Sequence, residues 1–203
     1  QINTMNPMTD EDSVNSEHYA IKGKRYVRVT RLLQERGLTD FSKIPERDRD
    51  YYISRGTQNH LAWEMVEKGT AGGFDFDPEV QKYMPAHALF LERTGFRAIP
   101  GGMEKRVHSD ELGIAGRLDR LGMIQGRLVL IDYKTSTVLQ ATSIQTALYL
   151  LCLPQYDFSK VERFGVAFRK DGKYKMSEKY PLSDKKDALR HVAEYWESKG
   201  GRA

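Results

Sequence analysis

Two aspartates and a lysine in the middle of the chain have the types and spacing needed to act on a phosphodiester with a divalent cation. Asp119 lies within residues 113–123, and Asp132 and Lys134 end the apolar run of residues 128–134. Carboxylate oxygens completed by water are the ligands that Mg²⁺ and Mn²⁺ prefer. A bound cation lowers the pKa of its water, and a nearby ammonium orients that water or stabilises the phosphate charge. The three residues therefore indicate metal-assisted phosphodiester hydrolysis.

A reversal at Gln125-Gly126 decides whether the two acids meet. If it is a two-residue turn, Asp119 and Asp132 each lie six residues from it, directly opposite one another on one face. Opposed residues have Cβ atoms about 4.5–5.5 Å apart, so the charges repel unless a cation binds or a pKa rises. Lys134 lies two residues beyond Asp132 and shares its face. The register is conditional, because Gln-Gly is a weaker turn signal than Asn-Gly.

A solvated hairpin with scattered charges is the competing interpretation, and spacing alone does not separate the two. The strand that leads to Asp132 is apolar on both faces from Leu128 to Ile131, as a central strand is. Asp132 and Lys134 therefore end a buried strand, which favours a chemical role.

The second half of the chain predicts the elements that position these residues. Alternation over residues 103–108, 114–123 and 127–134 predicts an antiparallel meander. A helix over residues 139–153 follows, and then a hairpin that turns at Asp171-Gly172. Ser183 is predicted to cap a last helix that reaches about residue 198.

The first half predicts mainly helices, after a small hairpin around Lys22-Gly23-Lys24. The order of elements argues for an α/β (α+β) fold with a mixed central sheet flanked by helices. The predicted helices are a short one over residues 31–36 capped by Thr30, one over residues 48–68 in which Gly56 marks a weak point or a break, and one from Pro78 to about Arg93 ended by Gly95.

Residues 1–18 are polar and without periodicity, which predicts a flexible N-terminal arm before a single domain over residues 19–203.

The only cysteine, Cys152, excludes an internal disulfide, a cysteine zinc site and a cysteine-held iron–sulfur cluster. No run approaches the roughly 18–20 apolar residues of a membrane helix, and no signal peptide is evident. We therefore expect a soluble protein, not secreted, in the cytoplasm or another reducing, DNA-containing compartment. The net charge of +4 is compatible with a polyanionic partner but does little to indicate one, since many basic proteins bind none.

Three motifs together resemble the PD-(D/E)XK nuclease superfamily, and within it the RecB-like branch that includes phage exonucleases and mitochondrial genome maintenance exonucleases. D-x-K alone is frequent by chance, whereas this order and spacing are specific. The resemblance covers about residues 26–150, and it departs from the superfamily pattern in having Leu118 where the name has proline. The motifs are Gly116-Arg-Leu-Asp119, Ile131-Asp132-Tyr133-Lys134-Thr135-Ser136 and Gln145-x-x-x-Tyr149, with Val29-Thr30 and Arg55-Gly-Thr-x-x-His60 upstream.

The resemblance implies a role for each matching residue and a restriction-endonuclease-like core. Asp119, Asp132 and the carbonyl of Tyr133 would bind Mg²⁺ or Mn²⁺. His60 would be a further ligand, with Glu104 as an additional acid and Glu64 as its rival. The superfamily's catalytic lysine corresponds to Lys134.

Gln145 and Tyr149 lie four residues apart on one helix face, and the resemblance makes them a hydrogen-bonding pair that fixes the site or touches DNA. Without the resemblance, helix packing would explain Tyr149 and solvent exposure would explain Gln145. His87 and His108 carry no predicted role. Candidate phosphate contacts, each also explicable as a surface residue, are Arg55, Arg117, Thr135 and Ser136.

The expected function is a metal-dependent DNA exonuclease acting on single-stranded DNA or duplex ends. A structure-selective endonuclease on the same site is the enzymatic alternative. A nucleic-acid-binding protein with a vestigial nuclease fold is the non-enzymatic one, and the intact Asp119, Asp132 and Lys134 argue against it. No feature of the sequence predicts the oligomeric state.

Overall fold

Eight strands form one mixed sheet in the part of the chain that the structure describes, a computed structural model covering residues 13–14, 17–39, 45–135 and 137–201. The order is β1-β2-β3-β5-β6-β7-β8, and β4 pairs with β5. The β3–β5 and β6–β7 pairs are parallel, and the others are antiparallel. The strands are β1 (Ser13–Val14), β2 (His18–Ile21), β3 (Lys24–Arg28), β4 (Arg97–Ser109), β5 (Ile114–Ile124), β6 (Arg127–Lys134), β7 (Glu162–Phe168) and β8 (Tyr174–Met176).

Helices cover both faces of this sheet, as the order of elements predicted. One cluster of buried side chains joins α1, α5 and α6 to the strands, and a second joins α2 and α4 to β6 and β7. Among the described helices, none combines the length and apolarity needed to cross a bilayer. The helices are α1 (Val29–Glu35), α2 (Glu46–Glu67), α3 (Pro78–Gln81), α4 (Met84–Thr94), α5 (Ala141–Leu151) and α6 (Asp184–Ser198).

The predicted register of the central hairpin is confirmed. Ile124 pairs with Arg127 and the ladder continues without a shift to Arg120 and Ile131. Gln125 and Gly126 both have positive φ, 48° and 78°, as a two-residue turn with the twist of a hairpin requires. Asp119 and Asp132 follow directly after the last pair of this ladder.

Because Gln125 occupies a left-handed conformation that asparagine tolerates better, Gln125→Asn is expected to stabilise the protein by about 0.5–1 kcal/mol. For a chain of this size the gain corresponds to a rise in Tm of about 1–4 °C, measurable by calorimetry. Gln125→Val is the matched control and should lower Tm, since a β-branched residue is strained at positive φ. An unchanged Tm in both variants would contradict this account of the turn.

Strand β5 is paired differently along its two edges, and this creates an opening in the sheet. One edge pairs with β4 over most of its length. On the other edge β3 pairs only as far as Ala115, and β6 begins to pair at Arg120. Gly116 to Asp119 therefore have no strand partner on that edge in the described part of the chain. The acids lie at this fork.

Strand β4 contains an irregularity just before the fork. Ala98 pairs with Gly122, but Met103 pairs with Arg120. Between these two pairs β4 therefore contains three more residues than β5. Glu104 follows directly and has a φ of 46°, a conformation uncommon for a residue other than glycine. The ladder then runs regularly to Ser109 and Ile114. The irregularity determines which β4 residue lies beside Asp119.

Two predicted helix boundaries are wrong. Helix α1 begins at Val29 rather than after Thr30, and Thr30 caps nothing, because burial of Val29, Leu32 and Leu33 sets the start of the helix. The helix predicted from Pro78 to Arg93 is two helices. Pro85 lies in the first turn of α4, where its missing N–H is tolerated, and so marks a helix start rather than an interior.

The other predicted elements are present. Helix α2 runs through Gly56 without a break, and the hairpins at Lys22-Gly23 and Asp171-Gly172 both form. Ser183 stands at the N-cap of α6, although its side chain makes no capping hydrogen bond. Most of the predicted N-terminal arm lies outside the described residues, but Ser13–Val14 pair with β2, which begins at His18. The flexible arm and the single domain stay predictions.

Candidate active site at the fork of the sheet

A cavity of about 540 Å³ opens at the fork of the sheet. Its walls come from the β2–β3 hairpin, the start of α1, the middle of α2, the strands of the meander and the face of α5. The lining residues are Tyr19, Arg28, Val29, Thr30, Gly56, Thr57, His60, Glu104, Arg106, Gly116, Arg117, Asp119, Asp132, Lys134, Gln145 and Tyr149. Eight residues predicted as site residues thus share one cavity: His60, Glu104, Arg117, Asp119, Asp132, Lys134, Gln145 and Tyr149.

Where β5 and β6 separate, the side chain of Asp119 accepts a hydrogen bond from a backbone N–H of β6. Its Oδ2 accepts a hydrogen bond from the backbone N–H of Tyr133 at 2.7 Å. The other oxygen, Oδ1, lies 3.6 Å from Nδ1 of His60. Both Asp119 and Asp132 are buried, with 8% and 1% of their surface exposed. The two carboxylates are therefore held in a fixed, poorly solvated position.

His60, Glu104 and Asp119 form a group whose candidate ligand atoms all lie within 4.8 Å of one another. Nδ1 of His60 is 3.1 Å from Oε1 of Glu104. Helix α2 brings the histidine over the fork, and the irregularity in β4 brings the glutamate. Glu64, the rival acid, instead pairs with Lys68 at 2.5 Å on the surface of α2. The structure brings Glu104 to the site and not Glu64.

Asp132 lies beside this group and pairs with Lys134. Nζ of Lys134 is 2.6 Å from Oδ2 of Asp132 and 3.4 Å from the side-chain oxygen of Gln145. The amide of Gln145 donates in turn to the hydroxyl of Tyr149 at 3.1 Å. Oδ1 of Asp132 is buried and accepts no hydrogen bond from the described residues. The lysine is thereby fixed between a carboxylate and an amide, with the helix α5 pair behind it.

Gly116 lies directly beneath Tyr149. A Cβ atom at this position would stand 2.5 Å from Cε1 of the tyrosine ring, closer than real contacts allow. The ring is buried, with 3% of its surface exposed, so it has little room to retreat. The glycine of the Gly116-x-x-Asp119 motif is thus required because α5 packs directly on the backbone of β5.

The crowded charges shift the pKa values of the site. Burial, together with the neighbouring Asp132 and Glu104 carboxylates, raises the pKa of Asp119 to about 6. Burial alone would lower the pKa of His60 and that of Lys134, but the carboxylates around them outweigh burial and raise both. The site therefore favours added positive charge near Asp119, either a proton or a cation.

Asp119→Asn is expected to stabilise the cation-free protein at pH 8. Since the pKa of Asp119 rises from 3.8 to about 6 on folding, its contribution to stability is present below about pH 4 and is lost as the pH rises through 6. Asp119→Asn should therefore have a free energy of unfolding up to about 3 kcal/mol higher than the wild type at pH 8, and almost the same as the wild type at pH 4. Thermal unfolding in EDTA at both pH values measures the difference.

Asp110→Asn is the matched control for that measurement. The pKa of Asp110 is lowered, mainly by the hydrogen bond from Tyr26 and then by the one from Lys24, so its removal should not stabilise the protein at pH 8. A Tm for Asp119→Asn at or below that of the wild type at pH 8 would show that repulsion does not dominate the site.

A buried ionic network supports the site from behind, and the sequence did not predict it. The Arg120 side chain has no exposed surface; its Nε donates to Glu67 at 2.8 Å, and its Nη1 donates to Glu104 at 2.8 Å and to the carbonyl of Asp119. The same oxygen of Glu67 lies 3.0 Å from Nε2 of His87, a histidine without a predicted role. The network links α2 and α4 to the Glu104 carboxylate and to the backbone of Asp119 through the guanidinium of Arg120.

One signal in the sequence could have found this network. Arg120 follows Asp119 in a strand that is otherwise apolar on its alternate face, and a buried arginine requires an acidic partner. Glu67 lies seven residues after His60 and so on the same face of α2, which makes it the natural candidate.

The predicted phosphate contacts are divided. Arg117 lines the cavity, with its Nε 3.1 Å from Glu104. Arg55 does not line it and pairs with Glu79 at 2.5 Å. Thr135 follows β6 outside the lining residues, and Ser136 lies outside the described residues. His108 is likewise absent from the lining and packs edge-on to Tyr26. The cavity also includes Arg28 and Arg106, which the motifs did not identify.

Comparison with protein families agrees with this arrangement. The family described as the PD-(D/E)XK nuclease superfamily matches residues 31–199. The chain belongs to the PD-(D/E)XK nuclease superfamily. Its mixed sheet flanked by helices is the restriction-endonuclease-like core of that family. Curated proteins give no match to the chain.

Solved structures show more distant likenesses. One is a protein from Eubacterium rectale, provisionally named an exonuclease, with a TM-score of 0.47 and 11% identity; the match covers 69% of this chain and 64% of that one. Another is the protein SSO0001, with a TM-score of 0.33 and 17% identity, covering 82% and 81%. This PD-(D/E)XK chain thus spans 64% of the length of the first relative. At these TM-scores neither likeness bears on activity.

Nucleases of the PD-(D/E)XK superfamily generally use divalent metals, and the residues of this cavity fit such an ion. The His60, Glu104 and Asp119 group offers one imidazole nitrogen and two carboxylates. Oδ1 of Asp132 adds a buried oxygen without a hydrogen-bond partner among the described residues. Such an uncompensated oxygen is costly unless a cation or water meets it.

Proposed function

We propose that this chain is a Mg²⁺- or Mn²⁺-dependent DNA exonuclease of the RecB-like branch. One observation carries the proposal: the His60, Glu104 and Asp119 group shares its cavity with the Asp132–Lys134 pair. Three potential ligands next to a carboxylate–lysine pair are the components that metal-assisted phosphodiester hydrolysis needs.

Each residue has a role in this proposal. Asp119, Asp132, Glu104 and His60 hold the cation, together with the carbonyl of Tyr133. When bound, the cation supplies a water of lowered pKa and neutralises charge on the phosphate. Lys134 orients the attacking water or stabilises the charged phosphate, at a position fixed by Asp132 and Gln145.

The choice of an exonuclease rests on the motifs that resemble the RecB-like branch. His60 lies within Arg55-Gly-Thr-x-x-His60, and the distance of 3.6 Å between its Nδ1 and Oδ1 of Asp119 supports a role as a metal ligand. The pair Gln145 and Tyr149 stands behind the catalytic lysine. DNA as the substrate, and a reducing, DNA-containing compartment, belong to the same proposal.

Cleavage of defined DNA substrates tests this function. End-labelled single-stranded DNA, end-labelled duplex and a covalently closed circle are incubated with Mg²⁺, with Mn²⁺ or with EDTA. The expected result is degradation of one or both linear substrates with either cation, none in EDTA, and an intact circle. Cutting of the circle would show an endonuclease. Absence of cleavage with both cations would favour a nucleic-acid-binding protein that has lost the reaction.

A further inference from the structure

Two arginines face each other across β4 and β5 at the edge of the cavity. Arg106 and Arg117 are direct Cα partners in the antiparallel ladder, and both line the cavity. Like charges directly opposite one another destabilise a sheet. A pair of this kind is explained when an anion lies between the two side chains.

The two guanidiniums are not equally compensated. Arg117 is held by Oε2 of Glu104 at 3.1 Å. Arg106 is exposed and makes no ion pair or hydrogen bond within the described part of the chain. Among the described residues, the only carboxylate that contacts the pair is therefore that of Glu104, which is already shared with His60 and Arg120. The Arg106–Arg117 pair carries an excess of positive charge toward the cavity.

The position of this pair relative to the acids is fixed by the same ladder. Arg117 lies two residues before Asp119 on β5, and Arg106 lies two residues after Glu104 on β4, so each arginine shares a strand face with its acid. Two residues along a strand span about 6.7 Å. A single residue on each strand, Lys105 on β4 and Leu118 on β5, thus separates the cation-binding acids from the arginines.

We propose that the Arg106–Arg117 pair binds the backbone phosphate adjacent to the scissile one. The inference rests on the proposed function, since it takes the acids as the place of the scissile phosphate. A strand that puts one phosphate at Asp119 places a neighbouring phosphate one nucleotide away, at the arginines. Two guanidiniums converging on one phosphate offer several parallel N–H donors, the arrangement in which arginine binds phosphate best. Such a contact fixes the register of the strand and reads no base.

Binding of modified oligonucleotides to Arg106→Gln tests the pair. A short fluorescent DNA is titrated with the protein in a Lys134→Ala background with Mg²⁺, and with wild-type protein in EDTA, at several salt concentrations. Loss of one phosphate contact should weaken the Kd about tenfold and reduce the slope of log K against log salt by about 0.7–0.9. Arg169→Gln is the matched control, because Arg169 is an exposed arginine between β7 and β8, outside the cavity lining. It should change neither the Kd nor the salt slope.

Methylphosphonate substitution locates the phosphate. Neutralising the phosphate on the 5′ or the 3′ side of the scissile one should weaken binding to the wild type about tenfold at one of the two positions. At that position it should weaken binding to Arg106→Gln by clearly less than tenfold, because only Arg117 remains to contact the phosphate. Arg106→Gln binding like Arg169→Gln, or losses that simply add at both positions, would overturn the inference. If the coupling is present but the wild type cleaves no DNA, the proposed function fails and the phosphate site stands. If DNA is cleaved and the coupling is absent, only the phosphate site fails.

Discussion

Replacing Lys134 with alanine is expected to slow DNA cleavage by about 10²–10³-fold, while cation binding remains. The lysine contributes an ammonium fixed between Asp132 and Gln145, and no other lysine lines the cavity among the described residues. Removing a positive charge beside the acids leaves their attraction for a cation intact or stronger. Single-turnover cleavage measures the first effect, and the rise in Tm on adding Mg²⁺ measures the second.

Lys175→Ala provides the matched control, because Lys175 is exposed on β8, outside the cavity. It should cleave at the wild-type rate. Cleavage by Lys134→Ala within threefold of that rate would place the chemistry elsewhere. Loss of the Mg²⁺-dependent rise in Tm in Lys134→Ala would instead make the lysine a support for the metal site rather than a participant in the reaction.

Gly116→Ala is expected to reduce cleavage about 10²-fold and to destabilise the fold by about 1–3 kcal/mol. The added methyl group would meet the Tyr149 ring at 2.5 Å, and the ring must move. Tyr149 accepts the hydrogen bond from Gln145, which contacts Lys134, so the displacement reaches the ammonium through two hydrogen bonds. Cleavage rates and thermal unfolding of the same preparation measure both effects.

Gly72→Ala is the comparison for this variant. No atom lies within 4 Å of the position its Cβ would occupy, and its φ is not positive. The substitution should therefore leave cleavage and Tm unchanged. The double variant Gly116→Ala, Tyr149→Phe separates the steric effect from the hydrogen bond, since it keeps the crowding. Wild-type cleavage by Gly116→Ala would mean that the Tyr149–Gln145–Lys134 chain is not needed to place the lysine.

Local sequence information was sufficient for the central hairpin. A two-residue turn fixes the pairing of every later residue, so the positions of Asp119 and Asp132 relative to each other followed from the turn alone. The face of Lys134 followed from the alternation of a strand, and that of Gln145 and Tyr149 from the period of a helix. These relations depend only on neighbours close in sequence.

Relations between distant segments could not be predicted from pattern alone. The contact of Arg120 with Glu67 depends on how α2 crosses the sheet, which no local period specifies. Arg55 matched a motif, yet its guanidinium pairs with Glu79, a partner supplied by the separate helix α3. The start of α1 was set by burial of Val29 rather than by the capping preference of Thr30. In each case tertiary packing outweighed a local preference.

The composition of the site depends on the three-residue irregularity in β4, because that irregularity sets the register of the strand's second half. If β4 kept the register of its first half, Gly101 rather than Glu104 would lie opposite Asp119, and the site would lose a carboxylate. Because three is an odd number, such a slip would also turn the later side chains of β4, Arg106 among them, to the other side of the sheet. The native register also requires a glycine at position 102, since a Cβ there would stand 2.2 Å from the carbonyl oxygen of Leu121. A misaligned β4 would give a folded sheet without the Glu104 ligand or the Arg106–Arg117 pair.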